Sequence, residues 1–325
     1  MDTVRRVVVP RVSVIVPAYN IAGYLERGLD SALAQTMSDL EVIVVDDASS
    51  DATFEVANSV AARDARVRVL RNKSNSGVSA SRNRAMHAAR GEWIALLDGD
   101  DVWLPERLQR MMAYADNVDV ISDDVYFVAR SRTRPGEYVF WSLLRERGLT
   151  LTKPRWLSLR DFVGYDTGLI QPVFRRAFLT RHELEYNPSM RVDEDFHFAF
   201  EILWKGARWL QLQRAYYVYI SNRAGAASSN ERVLWQIIIE HTRSLCSHPA
   251  VVDDAGLAAA LERRIQEGNG NLVYDTFRNL LWHRRFAELA IFLLEQPSRF
   301  PIIFERLIRR VYIRLVLSRR LAEMK

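Results

Sequence analysis

The chain has 325 residues, of which 49% are hydrophobic and 26% are charged, and its formal net charge is +5. These proportions are ordinary for a globular protein and exclude a disordered or fibrous chain. The length accommodates one large domain with an appended region, since domains usually contain about 100–200 residues. The single cysteine, Cys246, excludes an intramolecular disulfide and a multi-cysteine zinc site.

The apolar runs of the sequence are too short to cross a bilayer, because a spanning helix needs roughly 18 consecutive apolar residues. Near the N-terminus, Pro10 and Arg11 interrupt the run where a signal peptide has a continuous apolar core. A lone cysteine also fits a reducing compartment. We therefore expect a cytoplasmic protein.

In the first half of the chain, β-branched runs alternate with helical segments. Strands are predicted near 12–20, 40–49, 67–72 and 92–101, and helices near 24–35, 53–63 and 79–90. Each strand is apolar throughout and ends in polar residues, which is typical of a sheet buried on both faces with ligands beyond the carboxyl ends of its strands. The pattern predicts an α/β fold with a mainly parallel sheet flanked by helices.

The second half changes character. After Pro105, which suits the first turn of a helix, a strand is predicted near 118–128. A strand, a helix, a loop and a helix follow between 167 and 206, and the pattern is helical from about residue 230. The small and polar residues of SNRAGAASSN mark a boundary. We predict one domain over 1–225 and a helical region over 226–325 that contacts the acceptor or a membrane.

Three acidic clusters lie at predicted strand ends or loops: Asp46-Asp47, Asp98-Gly99-Asp100-Asp101 and Asp193-Glu194-Asp195. Neighbouring carboxylates raise one another's pKa and cost stability unless a cation or hydrogen-bond donors answer them. The second cluster alone is also explained as a cap for the helix that Pro105 begins. Three such clusters favour a hard divalent cation, Mn²⁺ or Mg²⁺, that carries the phosphates of a ligand.

Four segments in this order resemble glycosyltransferase family 2, the inverting nucleotide-sugar transferases with the GT-A fold. They are VSVIVPAYNIAGYLERGLDSALAQT, EVIVVDDASSDAT, NSGVSASRNRAMHAARGEWIALLDGDD and VDEDFHFAFEILWKG. The resemblance covers roughly residues 10–225. It implies a GT-A-like, Rossmann-like fold and a nucleoside-diphosphate sugar as donor.

The resemblance also implies a role for each matching residue. Donor or nucleotide contacts are implied for Pro17, Ala18, Tyr19, Asp46, Asp47, Asn75, Gly77, Arg82, Asn83 and Asp98. Asp98 and Asp100 match the metal-binding DXD motif, and Asp100 is the direct ligand in this interpretation. Asp195 matches the general base, with Glu194 beside it.

The chemistry of sugar transfer suits this division of roles. A metal at the diphosphate stabilises the leaving group, while a carboxylate removes the proton of the incoming hydroxyl, so a single displacement with inversion is expected. Two alternatives stay open for Arg82, which is either a solvated helical arginine or a contact to the diphosphate. For Trp103, packing is favoured over contact with a sugar.

The C-terminal tail carries the excess positive charge, with eight basic and two acidic residues from Arg299 onward. A helix there places one apolar stripe opposite its arginines. Such a helix either lies on an anionic membrane or docks the stripe on the protein and exposes the arginines. The stripe is Phe304, Leu307, Ile308, Val311, Tyr312 and Leu315, and the arginines are Arg306, Arg309, Arg310 and Arg314.

The predicted function is transfer of one sugar from a UDP-linked or other nucleoside-diphosphate donor to a saccharide or lipid-linked saccharide, in bacterial surface or exopolysaccharide synthesis. No Gln-x-x-Arg-Trp motif of processive synthases is present, and nucleic acid is not an expected partner. A peripheral position at the inner membrane face is the companion prediction. The alternative is a non-catalytic protein that binds membrane or nucleic acid through its arginine-rich tail. A nucleotidyltransferase is disfavoured, because the first strand lacks a glycine-rich triphosphate loop.

Overall fold

The computed structural model describes residues 9–130, 138–220, 231–308 and 311. The chain forms two compact units. The first contains Met1–Val128 and Ser142–Ser221, and the second contains Ala129–Trp141 and Asn222–Lys325. Within the described residues, no helix combines the length and the apolarity that crossing a bilayer requires.

The sheet has ten strands in the order β3-β2-β1-β4-β9-β6-β10-β5 along its main path. Strands β1 to β4 run parallel, whereas β9 is antiparallel to both of its neighbours and β6 pairs parallel with β10. The strands are β1 Val12–Ala18, β2 Leu40–Asp46, β3 Val67–Arg71, β4 Trp93–Leu96, β5 Val102–Trp103, β6 Val120–Arg130, β7 Tyr138–Ser142, β8 Arg155–Trp156, β9 Val173–Arg175 and β10 Trp209–Ile220.

Helices connect the parallel strands and account for most of the described residues beyond 230. They are α1 Ala22–Leu33, α2 Thr53–Arg63, α3 Val78–Ala88, α4 Arg107–Met112, α5 Leu143–Glu146, α6 Leu159–Tyr165, α7 Arg176–Arg181, α8 Glu194–Trp204, α9 Glu231–Leu245, α10 Pro249–Val252, α11 Ala255–Trp282 and α12 Phe286–Glu295. A further helical segment covers 299–308. The predicted α/β class, with a sheet flanked by helices, is confirmed.

The core lies around β1, β2 and β4, whose apolar residues are buried except for the half-buried Pro17. The buried polar residues of these strands have partners. Ser13 on β1 donates a 2.7 Å hydrogen bond to Glu41 on β2, and Arg90 donates a 2.9 Å hydrogen bond to the same carboxylate. The predicted strand near 92–101 ends at Leu96, because the chain turns in the acidic loop, where the Asp101 N–H donates to the Asp98 carbonyl at 2.9 Å.

Candidate active site

The carboxyl ends of β1, β2 and β4 meet at one edge of the sheet. Ala18 lies in register with Asp46, and the Asp47 N–H donates to the Ala18 carbonyl at 2.8 Å. The acidic loop after β4 lies against the same edge, since a Cβ on Gly99 would stand 3.3 Å from the Pro17 carbonyl oxygen. Three of the sequence motifs therefore converge at this edge, as expected for parallel strands.

Within the acidic loop, Asp101 serves the fold. Its side chain is buried and accepts hydrogen bonds from the Tyr217 hydroxyl at 2.8 Å and from the Ile220 N–H at 2.9 Å. Burial, with the charges of Asp98 and Asp100, raises its pKa well above the ordinary range. The capping alternative is wrong, because α4 begins after Glu106, and the Leu108 N–H in its first turn donates to Gln35 Oε1 at 3.0 Å rather than to the acidic loop.

Arg82, on α3, joins the acidic loop to the start of α8. One terminal nitrogen donates to Asp98 Oδ1 at 2.8 Å, and the other donates to Glu194 Oε1 at 2.9 Å and to Asp195 Oδ1 at 2.8 Å. The arginine side chain is only 2% exposed. The solvated alternative is therefore wrong, and one buried guanidinium holds three carboxylates from two separate motifs.

Asp195 is the carboxylate of this cluster whose pKa lies near neutral pH. Burial raises its pKa, as do the charges of Glu194 and Asp98, while Arg82 lowers it, and the resulting pKa is about 7. The side chain is still 20% exposed, so solvent or a substrate reaches it. A carboxylate that titrates near neutral pH is suited to general base catalysis.

Tyr186 is a site residue that the sequence analysis missed. Its buried ring lies 5.1 Å from the Arg82 guanidinium carbon, and its hydroxyl is hydrogen-bonded to Asp195. Asn83 fixes its backbone through two hydrogen bonds, of 2.8 Å to the Tyr186 carbonyl and 2.9 Å from the Tyr186 N–H. No motif in EYNPSM distinguishes this tyrosine from an ordinary core aromatic residue.

The loop before α3 is shaped by Asp47. Its Oδ1 accepts from the Ser76 N–H at 2.8 Å, and its Oδ2 accepts from the Gly77 N–H at 2.8 Å. Gly77 has a φ of +90°, which glycine adopts without strain. From the other side, Arg191 donates to the Asn75 side chain at 2.8 Å. Asp47, Asn75 and Gly77 are thus brought together.

The remaining predicted donor residues line the same edge. Asp46 is fully buried, with its Oδ2 3.1 Å from the Arg71 Nε. Tyr19 is exposed just beyond the buried Ala18. Trp103 is buried and lies under the Arg107 guanidinium at 4.6 Å, so packing, the alternative that we favoured, is its role.

Asp98 and Asp100 form the part of the site that fits a divalent cation. The Asp98 side chain is 26% exposed, and Asp100 is also partly exposed. Gln171 lies beside them, with its Nε2 3.4 Å from Asp98 Oδ2. Its buried Oε1 accepts no hydrogen bond from any described residue. Oxygen donors of this kind suit Mg²⁺ or Mn²⁺.

Comparison with known proteins identifies the family of this chain. Residues 13–178 match the model of Glycosyl transferase family 2. The chain is 37% identical to the succinoglycan biosynthesis protein ExoO of Rhizobium meliloti over 220 residues, which are 65% of this chain and 61% of that protein. It is 34% identical to the uncharacterized glycosyltransferase EpsJ of Bacillus subtilis over 220 residues, 66% of this chain and 62% of that one. The matches thus span about three-fifths of these relatives.

Solved structures show the same fold. Staphylococcus aureus TarS 1–349 in complex with UDP-GlcNAc has a TM-score of 0.61 at 22% identity, over 80% of this chain and 72% of that one. The mannosyltransferase PcManGT of Pyrobaculum calidifontis, in complex with GDP-Man and Mn²⁺, has a TM-score of 0.54 at 20% identity, over 94% and 87%. The GT-A-like fold is confirmed, and the alternative of a non-catalytic binding protein loses its support. The chain belongs to glycosyltransferase family 2.

Proposed function

We propose that this protein transfers one sugar, with inversion, from a nucleoside-diphosphate sugar to a saccharide or lipid-linked saccharide acceptor. The observation that carries the proposal is the convergence of Asp98, Glu194 and Asp195 on the buried guanidinium of Arg82. Arg82 thereby joins Asp98, which is suited to the leaving-group side of the reaction, to Asp195, which is suited to deprotonating the acceptor.

Asp195 is the proposed general base. Its pKa of about 7 leaves a substantial fraction ionised at neutral pH, while its carboxylate remains basic enough to accept the proton of a sugar hydroxyl. The Tyr186 hydroxyl and Arg82 hold this carboxylate in position. Glu194 accepts a hydrogen bond from the same terminal nitrogen of Arg82 as Asp195 and helps to fix the guanidinium.

At the leaving-group end, Asp98 and Asp100 are the proposed ligands of Mn²⁺ or Mg²⁺, with Asp100 the direct one. When bound, such a cation supplies Lewis-acid stabilisation of the departing diphosphate. Arg82 and Gln171 orient Asp98 from two sides. Because Asp195 is assigned to proton removal and no second carboxylate is assigned as a nucleophile, a single displacement is the proposed course.

The nucleotide is proposed to lie at the carboxyl ends of β1 and β2. Pro17, Ala18 and Tyr19 would line its pocket there, and Asp46 would face the base or ribose. Asp47 contributes by holding the loop that carries Asn75 and Gly77.

The pathway and donor are inferred from related proteins. ExoO is named for succinoglycan biosynthesis, and TarS was solved with UDP-GlcNAc. We propose a UDP-sugar donor and a role in bacterial surface or exopolysaccharide synthesis, at the cytoplasmic face of the membrane.

Two variants test the proposal. Asp100→Ala should lose the Mn²⁺-dependent thermal stabilisation that a nucleotide sugar gives the wild type, whereas Asp195→Asn should keep that stabilisation and lose transfer. Asp116→Asn, at an exposed carboxylate, is the matched control and should change neither. Transfer by Asp195→Asn at the wild-type rate would show that the base assignment is wrong.

A further inference from the structure

Helix α12 is apolar on the side that faces outward. Its inner residues, Leu289, Phe292 and Leu293, are only half-buried, and none of its residues is fully buried. At 100° per residue, the exposed apolar residues fill one continuous arc of the helix. That arc consists of Phe286, Ala287, Ala290, Ile291 and Leu294.

The helical segment 299–308 repeats this arrangement. Its inner side contacts α11, where a Cβ on Gly270 would lie 3.2 Å from the Arg306 guanidinium and 3.4 Å from Ile302. Arg306 also approaches the Glu267 carbonyl at 3.4 Å. Apart from Glu305, its exposed residues are again apolar: Phe300, Pro301, Phe304, Leu307 and Ile308.

Where the structure describes this segment, its orientation is the reverse of the docked alternative, in which the stripe is buried and the arginines face water. The other predicted residues, Tyr312 and Leu315 of the stripe with Arg309, Arg310 and Arg314, lie outside the described residues. Phe304 is 66% exposed and Leu294 on α12 is 77% exposed, while Arg306 is half-buried. Trp282, at the end of α11, is 82% exposed. Large exposed apolar surfaces mark interaction sites.

The charge of the same part of the chain selects the partner. Residues 282–325 contain ten arginines and lysines and four glutamates, a net charge of +6, so the rest of the chain, 1–281, carries −1. A second copy docked through the same helices would bring two segments of +6 together. An anionic lipid surface offers an apolar layer beneath negative headgroups and answers both features.

We propose that α12 and the segment 299–308 dock on an anionic lipid surface. Their exposed apolar residues enter the interface, and the net positive charge of 282–325 attracts this part of the chain to the anionic headgroups. The inference deepens the proposed function, on which it rests for the lipid-linked nature of the acceptor. Docking needs neither donor nor acceptor. A vesicle-binding assay therefore tests it independently of the assay for sugar transfer.

The test is cosedimentation of the full chain with vesicles of phosphatidylcholine, with and without phosphatidylglycerol. The variant Phe286→Gln/Ile291→Gln/Leu294→Gln removes exposed apolar surface and keeps good helix formers. Its matched control, Tyr114→Gln/Val252→Gln, removes two exposed apolar side chains elsewhere. Thermal melts followed by circular dichroism verify that each variant is folded.

The wild type and the control should bind vesicles that contain phosphatidylglycerol, less tightly as salt is raised. The triple variant should bind at least about tenfold more weakly. Equal binding by the triple variant, or no binding by the wild type, would overturn the proposal. A dimer in sedimentation velocity that the triple variant dissociates would assign the surface to a second copy. Vesicle binding that appears only after deletion of 312–325 would assign it to that segment of the chain.

Discussion

Replacement of Asp195 by asparagine should stabilise the protein at alkaline pH while it abolishes transfer. Burial raises the pKa of Asp195 from its ordinary value of 3.8 to about 7. Between these two values the folded protein binds more protons than the unfolded chain, so stability falls as pH rises through this window. The cost at about pH 8 is roughly 4 kcal/mol, and about 3 kcal/mol of it develops above about pH 5.

Asparagine cannot ionise and therefore escapes this cost. Guanidinium denaturation should show a free energy of unfolding above that of the wild type by up to about 4 kcal/mol at about pH 8, and by less than about 2 kcal/mol at about pH 5. Asp116→Asn serves as the exposed control. The same gain at both pH values, or a loss at about pH 8, would refute the view that burial sets the pKa of Asp195.

Three further outcomes are expected. The transfer rate should rise with pH through about 7, where Asp195 ionises, and a flat profile from about pH 5 to 9 would count against this residue as the base. Tyr186→Phe should shift the rise of the transfer rate to higher pH, because the tyrosine hydrogen bond lowers the pKa of Asp195. The same variant should lower kcat several-fold with a small change in Tm. Gly77→Ala should raise the KM for the donor, since φ is +90° and the new Cβ would lie 3.0 Å from Arg191; Gly164→Ala, with open space around it, is the control.

Local patterns in the sequence predicted the parallel half of the sheet. The continuous apolar runs of β1, β2 and β4 need no partner to be recognised as buried strands, and the polar residues that end them mark the carboxyl edge. The acidic clusters that contain Asp46 and Asp98 were therefore predicted at strand ends or loops. The parallel pairing of β1 with both β2 and β4 brings the ends of these strands to one edge of the sheet.

Contacts between distant parts of the chain were beyond sequence analysis. The carboxylates of Glu194 and Asp195 lie 112 and 113 residues from Arg82, and nothing in the helix α3 indicates that its arginine is buried. Tyr217 and Asp101 are 116 residues apart. In each case a charged or polar side chain is buried because of a partner whose position only the complete topology determines.

The tail shows a different limit. Its periodicity correctly placed Phe304, Leu307 and Ile308 on one face, but periodicity alone does not tell which face points outward. That choice depends on the partner surface, here α11, which accepts Arg306 near Gly270. An amphipathic pattern therefore predicts which residues share a face of a helix, but it does not predict whether that face is buried or exposed.

The position of Arg82 has a consequence for the proposed reaction. A buried ion pair usually contributes little net stability, because removing the charges from water offsets their attraction. A guanidinium, however, is planar and rigid, and its terminal nitrogens set the directions of the groups they bind. Through this one side chain, Asp98, at the proposed leaving-group end, is held at a defined distance from the proposed base, Asp195. In the proposed displacement, one residue would therefore position both the carboxylate near the leaving group and the carboxylate that removes the proton. This role explains a buried arginine for which stability alone gives no reason.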